Sequence, residues 1–235
     1  MKIRRLRKNS GDSRYDGETF LNFTASDGLA HDNVKTIYRD PDGVMWFGTN
    51  NGVSLYDGEE WSSIDTRDGL TGNTVSAIHP DADGALWFAT DGGLTRYRRG
   101  KNAPTIHITK ISIDRDYMNL SSIPPLTTKT RVTITFRAMD FRTVPGKQQY
   151  QIRIRERHRS WIDATQATTF DHTFDETGTY TVEVQAIDRD LNYSEPASLT
   201  LTVILPWYQN GWILYPSAGG IVALALFASA FGYRY

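Results

Sequence analysis

The 235-residue sequence contains no cysteine. That excludes disulfide stapling, thiolate zinc sites and thiol nucleophiles, and it says little about compartment. An excess of charge of one sign is also missing. Lys and Arg number 26 against 27 Asp and Glu, a formal charge of -1, so no bulk field draws the chain to nucleic acid. Histidine is scarce: His31, His79, His107, His158 and His172 never stand three or four positions apart, which leaves no HExxH-like metal pair. The glycine–serine nucleophile elbow and the P-loop are absent as well. The residues present therefore offer no catalytic constellation, no metal set and no cofactor site. A non-enzymatic role is expected, and ligand-binding residues stay unassigned.

His172 follows Asp171 in "FDHTFDE", but adjacent strand residues point to opposite faces, which disfavours a shared ion. "DPDG" (Asp40–Gly43) and "DADG" (Asp81–Gly84) approach the spelling of a calcium loop without its ligand run or closing glutamate, and they suffice as turns. Three basic runs occur, "KIRRLRK" (Lys2–Lys8), "RYRRGK" (Arg96–Lys101) and "RERHR" (Arg155–Arg159). With no accompanying nucleic-acid motif they fit solvated surface or linker better than phosphate patches.

What the chain has is repetition. Gly28, Val34, Ile37, Gly43, Trp46, Phe47, Thr49, Gly52 and Tyr56 recur 41 positions on, from Gly69 (28 to 69) to Tyr97 (56 to 97). An earlier partial copy shows in "YDGETF" (Tyr15–Phe20) against "YDGEEW" (Tyr56–Trp61). A period of about 40 residues indicates stacked units, and a four-stranded propeller blade has that length. Within one unit the runs Val34–Tyr38, Val44–Gly48, Val53–Tyr56 and Glu60–Ile64 are too short for helices. They are separated by Asp-Gly and Asn-Gly turns, where glycine takes positive φ at little cost. Trp46 and Trp87 share one blade position and suit blade-to-blade packing. A sugar platform is the sharper alternative, for which Trp61 and its counterpart Phe20, flanking a turn, are better placed.

The pattern stops near Lys101–Pro104. Period-2 alternation then runs through Ile106 and Ile108, Ile111 and Ile113, Val132 to Phe136, Tyr150 to Ile154, Tyr180 to Ala186 and Leu199 to Val203. About seven short strands in about 100 residues match an immunoglobulin-like sandwich, with Tyr180 a candidate tyrosine-corner residue or a plain core aromatic. From Pro206 to Tyr233 no side chain is charged. The stretch holds about 20 apolar or small residues between aromatic flanks, the pattern of a membrane-spanning helix. The start has a basic run but no apolar segment of a signal peptide.

The expected architecture is thus all-β. A partial propeller of two to two-and-a-half four-stranded blades (1–102) is followed by an immunoglobulin-like sandwich (103–205) and a transmembrane helix with its flanks (206–235). So few blades cannot close a ring, so further blades upstream and more chain after Tyr235 are expected.

The segments "GLAHDNVKTIYRDPDGVMWFGTNNGVSLYDG" and "GLTGNTVSAIHPDADGALWFATDGGLTRYRRG" resemble two-component regulator propeller repeats. The following segment, with "FRAMDF", "YQIRIRERHRSW", "GTYTVEVQAIDRD" and "ILPWYQNGW", resembles the three-Tyr domain that succeeds such propellers. Ile152 stands where that family usually places a second tyrosine. The resemblance implies the periplasmic sensor portion of a bacterial receptor anchored by one helix in the inner membrane, working as a homodimer. Its ligand would be extracytoplasmic, an oligosaccharide among the options, and its output domain, a histidine kinase or diguanylate cyclase, would be cytoplasmic. The alternative is a membrane-anchored propeller that captures glycan or protein and has no output. No nucleic-acid partner and no cofactor are implied.

Overall fold

The computed structural model describes residues 12–15, 20–155 and 160–209. An amino-terminal hairpin of β1 (Asp12–Tyr15) and β2 (Phe20–Phe23) precedes two blades. In the first, β3 (Val34–Arg39), β4 (Met45–Thr49), β5 (Gly52–Tyr56) and β6 (Trp61–Ile64) form an antiparallel sheet in sequential order. Its turns are locked locally. The Gly43 N–H donates to the Asp40 carbonyl at 3.1 Å, and the Val44 N–H donates to Asp40 Oδ1 at 2.9 Å. Gly52, at φ 98°, has no room for a side chain, since a Cβ there would lie 2.3 Å from the Ile64 carbonyl oxygen.

The second blade has three strands rather than the expected four: β7 (Val75–Pro80), β8 (Leu86–Thr90) and β9 (Gly93–Tyr97), in that order. The counterpart of β6 would fall at 102–105 (61 + 41 to 64 + 41), where Pro104 interrupts. Proline cannot donate to a ladder, and the chain departs for the next sheets instead.

The blades stack face to face. Trp46, Val53 and Leu55 from the first share one core with Val75, Leu86 and Phe88 from the second. Gly48 permits the approach, because a Cβ there would lie 2.5 Å from Thr36 Cγ2 and 3.0 Å from Val75 Cγ1. The first strands, β3 and β7, are spatial neighbours, as in sheets arranged around a common axis. On the opposite side of the first blade, Phe23 joins Phe47, Val34 and Leu29 in a separate cluster.

Nine further strands build two facing sheets, where the sequence suggested about seven. They are β10 (Thr105–Ser112), β11 (Asp116–Tyr117), β12 (Leu126–Thr127), β13 (Arg131–Met139), β14 (Gln149–Ile154), β15 (Ile162–Thr165), β16 (Thr169–Thr173), β17 (Gly178–Ile187) and β18 (Ala197–Ile204). One sheet runs β11-β10-β13-β16 and the other β12-β18-β17-β14-β15. Ile111, Ile134, Phe136, Ile154, Val182 and Leu201 fill the core between them. The register of β10 against β13 slips between Ile108 and Lys110. That bulge explains why the Ile106/Ile108 alternation resumes out of phase at Ile111. The Tyr180 hydroxyl donates to the Glu176 carbonyl four residues upstream at 3.0 Å, the bond that defines a tyrosine corner.

The expected spanning helix lies, from Asn210 onward, outside the described residues. Trp207–Gln209 form one 3-10 turn. Among the described residues no helix is long and apolar enough to cross a membrane.

Candidate functional site: the joint between blades and sandwich

The loop joining β17 to β18, "DRDLNYS" from Asp188, is where the two halves of the chain meet. Asp188 organises it: Oδ1 accepts the N–H groups of Asp190 and Asn192 at 2.9 and 2.8 Å, and Oδ2 accepts Asn192 Nδ2 at 2.8 Å. This arrangement holds Leu191 in the left-handed region at φ 59°, a conformation that costs a non-glycine residue of order 1 kcal/mol or more. The side chain recovers that cost by burial. Leu191 and Ile187, 3% and 0% exposed, enter the inter-blade core beside Trp46 and Phe88, worth about 1.5–3 kcal/mol for each side chain fully buried.

Polar bonds seal the insertion on both blades. Ser62 Oγ donates to the Arg189 carbonyl at 2.7 Å, and the Tyr193 hydroxyl donates to Asp57 Oδ2 at 2.6 Å. From the second blade, the Tyr97 hydroxyl donates to the buried Asp190 carboxylate, which also accepts the Gly100 N–H at 2.9 Å. Arg99 Nε reaches the Asp190 carbonyl at 2.7 Å, and Asn192 Nδ2 reaches the Gly100 carbonyl at 3.0 Å. Burial, reinforced by the Asp190 carboxylate, pushes the Tyr97 phenol up, and burial beside Asp57 does the same to Tyr193. Both phenols therefore remain hydrogen-bond donors at neutral pH. Burial also raises the pKa of Asp188.

A second set of contacts runs along β14 and the turn before it. Lys147 Nζ lies 2.5 Å from Asp68 Oδ2, 2.9 Å from Asp65 Oδ2 and 3.2 Å from the Ser63 carbonyl. The Asp68 side chain is 0% exposed and also faces Arg189 Nη1 at 3.4 Å. Gln149 Nε2 donates to the Trp61 carbonyl and Gln151 Nε2 to Glu60 Oε1, both at 2.7 Å. Arg67, and then Lys147, hold the Asp65 carboxyl well below the usual carboxylate range. A buried ion pair of this kind is a poor source of net stability but strongly disfavours any arrangement that separates its members.

The structure brings some of the sequence candidates together and separates others. Trp46 and Trp87 each donate Nε1–H to an aspartate six residues earlier, Asp40 and Asp81, at 3.0 Å. Their burial differs, 0% against 37% exposed, because the second blade covers Trp46 while no further blade among the described residues packs on Trp87. Trp61 does not present a free platform: its ring stacks on Tyr56 at 4.6 Å and meets Phe23 and Phe47 at 5.3 and 5.4 Å. Phe20 falls on β2. His172 stacks on Phe170 and meets Phe174, whereas Asp171 turns away to Arg131 at 2.8 Å. The two Asp-x-Asp-Gly turns are partners of the basic run from Arg96. Arg96 and Arg98 pair with Asp83, Arg99 with Asp40 at 3.7 Å, and Lys101 with Asp42 at 3.8 Å. That run is solvated surface whose cations pair with the two turns, the Arg98 and Lys101 side chains being 60% and 82% exposed.

Two clefts flank the joint. One, of about 640 Å3, lies between the two turns and includes Tyr38, Trp46, Asp42 and Arg98. The other, of about 740 Å3, includes Tyr56, Trp61, Glu59, Gln149 and Gln166. Sequence reasoning missed the joint itself. Its one visible signal was Leu191, an aliphatic residue set within an otherwise polar turn.

The family described as two component regulator propeller matches residues 28–51 and 69–92. Among solved structures, the chain is similar to an extracellular domain assigned to the hybrid two component system BT3049 of B. thetaiotaomicron. The TM-score is 0.51 and the identity 19%, over 85% of this chain and 30% of that one. The chain thus spans less than a third of that structure's length. An extracellular domain assigned to the one component system BT4673 of the same organism aligns at a TM-score of 0.37 and 14% identity, over 88% of this chain and 35% of that one. No curated protein matches the sequence significantly. Each blade thus contains one stretch that matches the two component regulator propeller model.

Proposed function

We propose that the chain is the membrane-proximal part of an extracytoplasmic sensor, in which the two facing sheets form an immunoglobulin-like relay between the propeller and a membrane-spanning helix. A ligand of the propeller, with oligosaccharide the leading class, shifts the blades. The joint passes the shift to β17 and β18, and the segment after Leu205 delivers it across the inner membrane within a homodimer to a cytoplasmic output domain. One observation carries this reading. Ile187 and Leu191 sit in the inter-blade core, and the strand that follows their loop, β18, runs to Ile204 just before Pro206. Blade movement therefore has a short, stiff path to the carboxyl end. Driving such a switch from mostly off to mostly on requires about 5.5 kcal/mol of differential ligand affinity.

The test is a flexible Gly/Ser segment inserted after Leu205 in the receptor, read by a transcriptional or phosphotransfer assay of its output in cells. The expected result is retained ligand binding with loss of ligand-dependent output. Output that still follows the ligand would defeat the relay.

A further inference from the structure

The carboxyl end of the sandwich changes character over a few residues. Along β18 the side chains turned away from the core are Ser198, Thr200 and Thr202, and then Ile204. Ile204, Leu205, Trp207 and Tyr208 are 46%, 50%, 71% and 54% exposed. They make up four of the ten exposed large apolar side chains among the described residues, so open apolar surface gathers at this end. The turn beside them comes from another element. The Thr128 N–H donates to the Ile204 carbonyl at 3.1 Å, and the Lys129 N–H donates to the Phe174 carbonyl at 2.8 Å. These bonds hold Lys129 at φ 66°, a left-handed backbone that is costly for a lysine. Its side chain is exposed and forms no ion pair among the described residues. Asp175, next to Phe174 on the turn between β16 and β17, is exposed and unpaired in the same way.

We infer that this end of the sandwich seats in the head-group layer of a zwitterionic phospholipid bilayer. Ile204, Leu205, Trp207 and Tyr208 meet the upper acyl chains, Lys129 meets phosphate and Asp175 meets the ammonium group. The inference rests on the spanning segment proposed above and adds a contact that such a segment alone does not supply. Three observations favour lipid as the occupant. Tryptophan and tyrosine beside a long cationic side chain are the residues that suit a lipid–water boundary. An unpaired cation and an unpaired carboxylate on one end match both charges of the head group. The patch also runs directly into a stretch without a charged side chain, Pro206 to Tyr233, which suits hydrocarbon. Seated in this way, β18 keeps a fixed angle to the membrane, and blade movement reaches the segment after Leu205 instead of tilting the sandwich.

Because the chain has no cysteine, one introduced thiol carries a fluorophore at a single place. The full chain is labelled through Thr127→Cys, Thr200→Cys or Ala223→Cys and held in phosphatidylcholine nanodiscs with a nitroxide on the head group or deep on the acyl chain. Thr127 decides the matter, since it stands beside Ile204 in register but belongs to β12, off the tether. Head-group quenching is expected at 127 and not at 200, which lies about 13 Å up the strand from 204. It is expected to survive a flexible Gly/Ser insert after Gln209, which lengthens the tether. In the inserted chain, Trp207→Asp and Lys129→Glu should each abolish it with an unchanged circular dichroism spectrum. Quenching at 127 that vanishes with the insert alone would mean that the tether, and no seat, brings this end to lipid. Absent quenching at 127, with a label at 223 quenched from the acyl chains, would overturn the seat and leave the spanning segment standing. A label at 223 that the acyl-chain nitroxide never quenches would remove the spanning segment, and the inference with it.

Discussion

Asp40 and Asp81 make the same bond to tryptophans at the same blade position, yet they differ in what stands behind the ring. Trp46 is sealed by the second blade, so removing its acceptor leaves an indole N–H without water or partner. Trp87 is open, and solvent replaces the lost carboxylate. Leaving a buried donor unsatisfied costs about 1–3 kcal/mol, whereas a solvated one costs a fraction of that. Asp40→Ala is therefore expected to lower the unfolding free energy by about 1–3 kcal/mol and Asp81→Ala by clearly less, measured by urea denaturation at neutral pH. Equal losses would mean that the two tryptophans share one environment. Sequence made the tryptophans and the turns legible, because a fixed period copies both. The bond between them was not legible, since a side chain six residues away meets the indole only once the turn has set the register.

At the scale of the element, the turn from Asp65 to Asp68 shows how a short motif becomes an anchor. Asp65 caps the turn by accepting the Arg67 N–H at 2.8 Å, and Asp68 answers by accepting the Asp65 N–H at 3.0 Å. The same two carboxylates then hold Lys147 from the neighbouring sheets. The folded pKa of Asp65 is depressed below its ordinary value of 3.8, first by Arg67 and then by Lys147. The stabilisation it contributes is therefore present in full above that ordinary value and is lost as pH falls from there toward the depressed one. Asp65→Asn is expected to be less stable than wild type at pH 7. It should also lose less stability than wild type on acidification below about pH 4, so that the two urea midpoints converge. Parallel acid profiles would exclude Asp65 as a contributor. Strand positions were legible from alternation over most of the chain, and the bulge in β10 left its trace in the shifted phase of its isoleucines. The missing fourth strand of the second blade was legible only as the end of a pattern. The capture of Lys147 was not, because it joins elements separated by 79 residues.

For the whole molecule, the open question is whether blades and sandwich are two cooperative units or one. Each has its own core, and chains with several cores commonly unfold in steps. Here a third core crosses the boundary, with Ile187 and Leu191 from the sandwich loop completing what Trp46 and Phe88 begin. The buried Asp68 carboxylate then penalises separation, because parting the halves would strip it of Lys147 and Arg189. Breaking one partner of a buried pair costs about 3–5 kcal/mol, a large share of the roughly 5–15 kcal/mol that holds a typical domain folded. The wild-type chain is therefore expected to show a single calorimetric transition. Lys147→Ala should lower it and split it into two, since the blades lose their ion-pair anchor to the turn before β14, leaving only the Gln149 and Gln151 bonds there, while the sandwich core is untouched. Lys147→Arg, which keeps the charge, should preserve one transition. Two transitions in the wild type would mean that the halves move independently, and the joint could then carry no signal from one to the other.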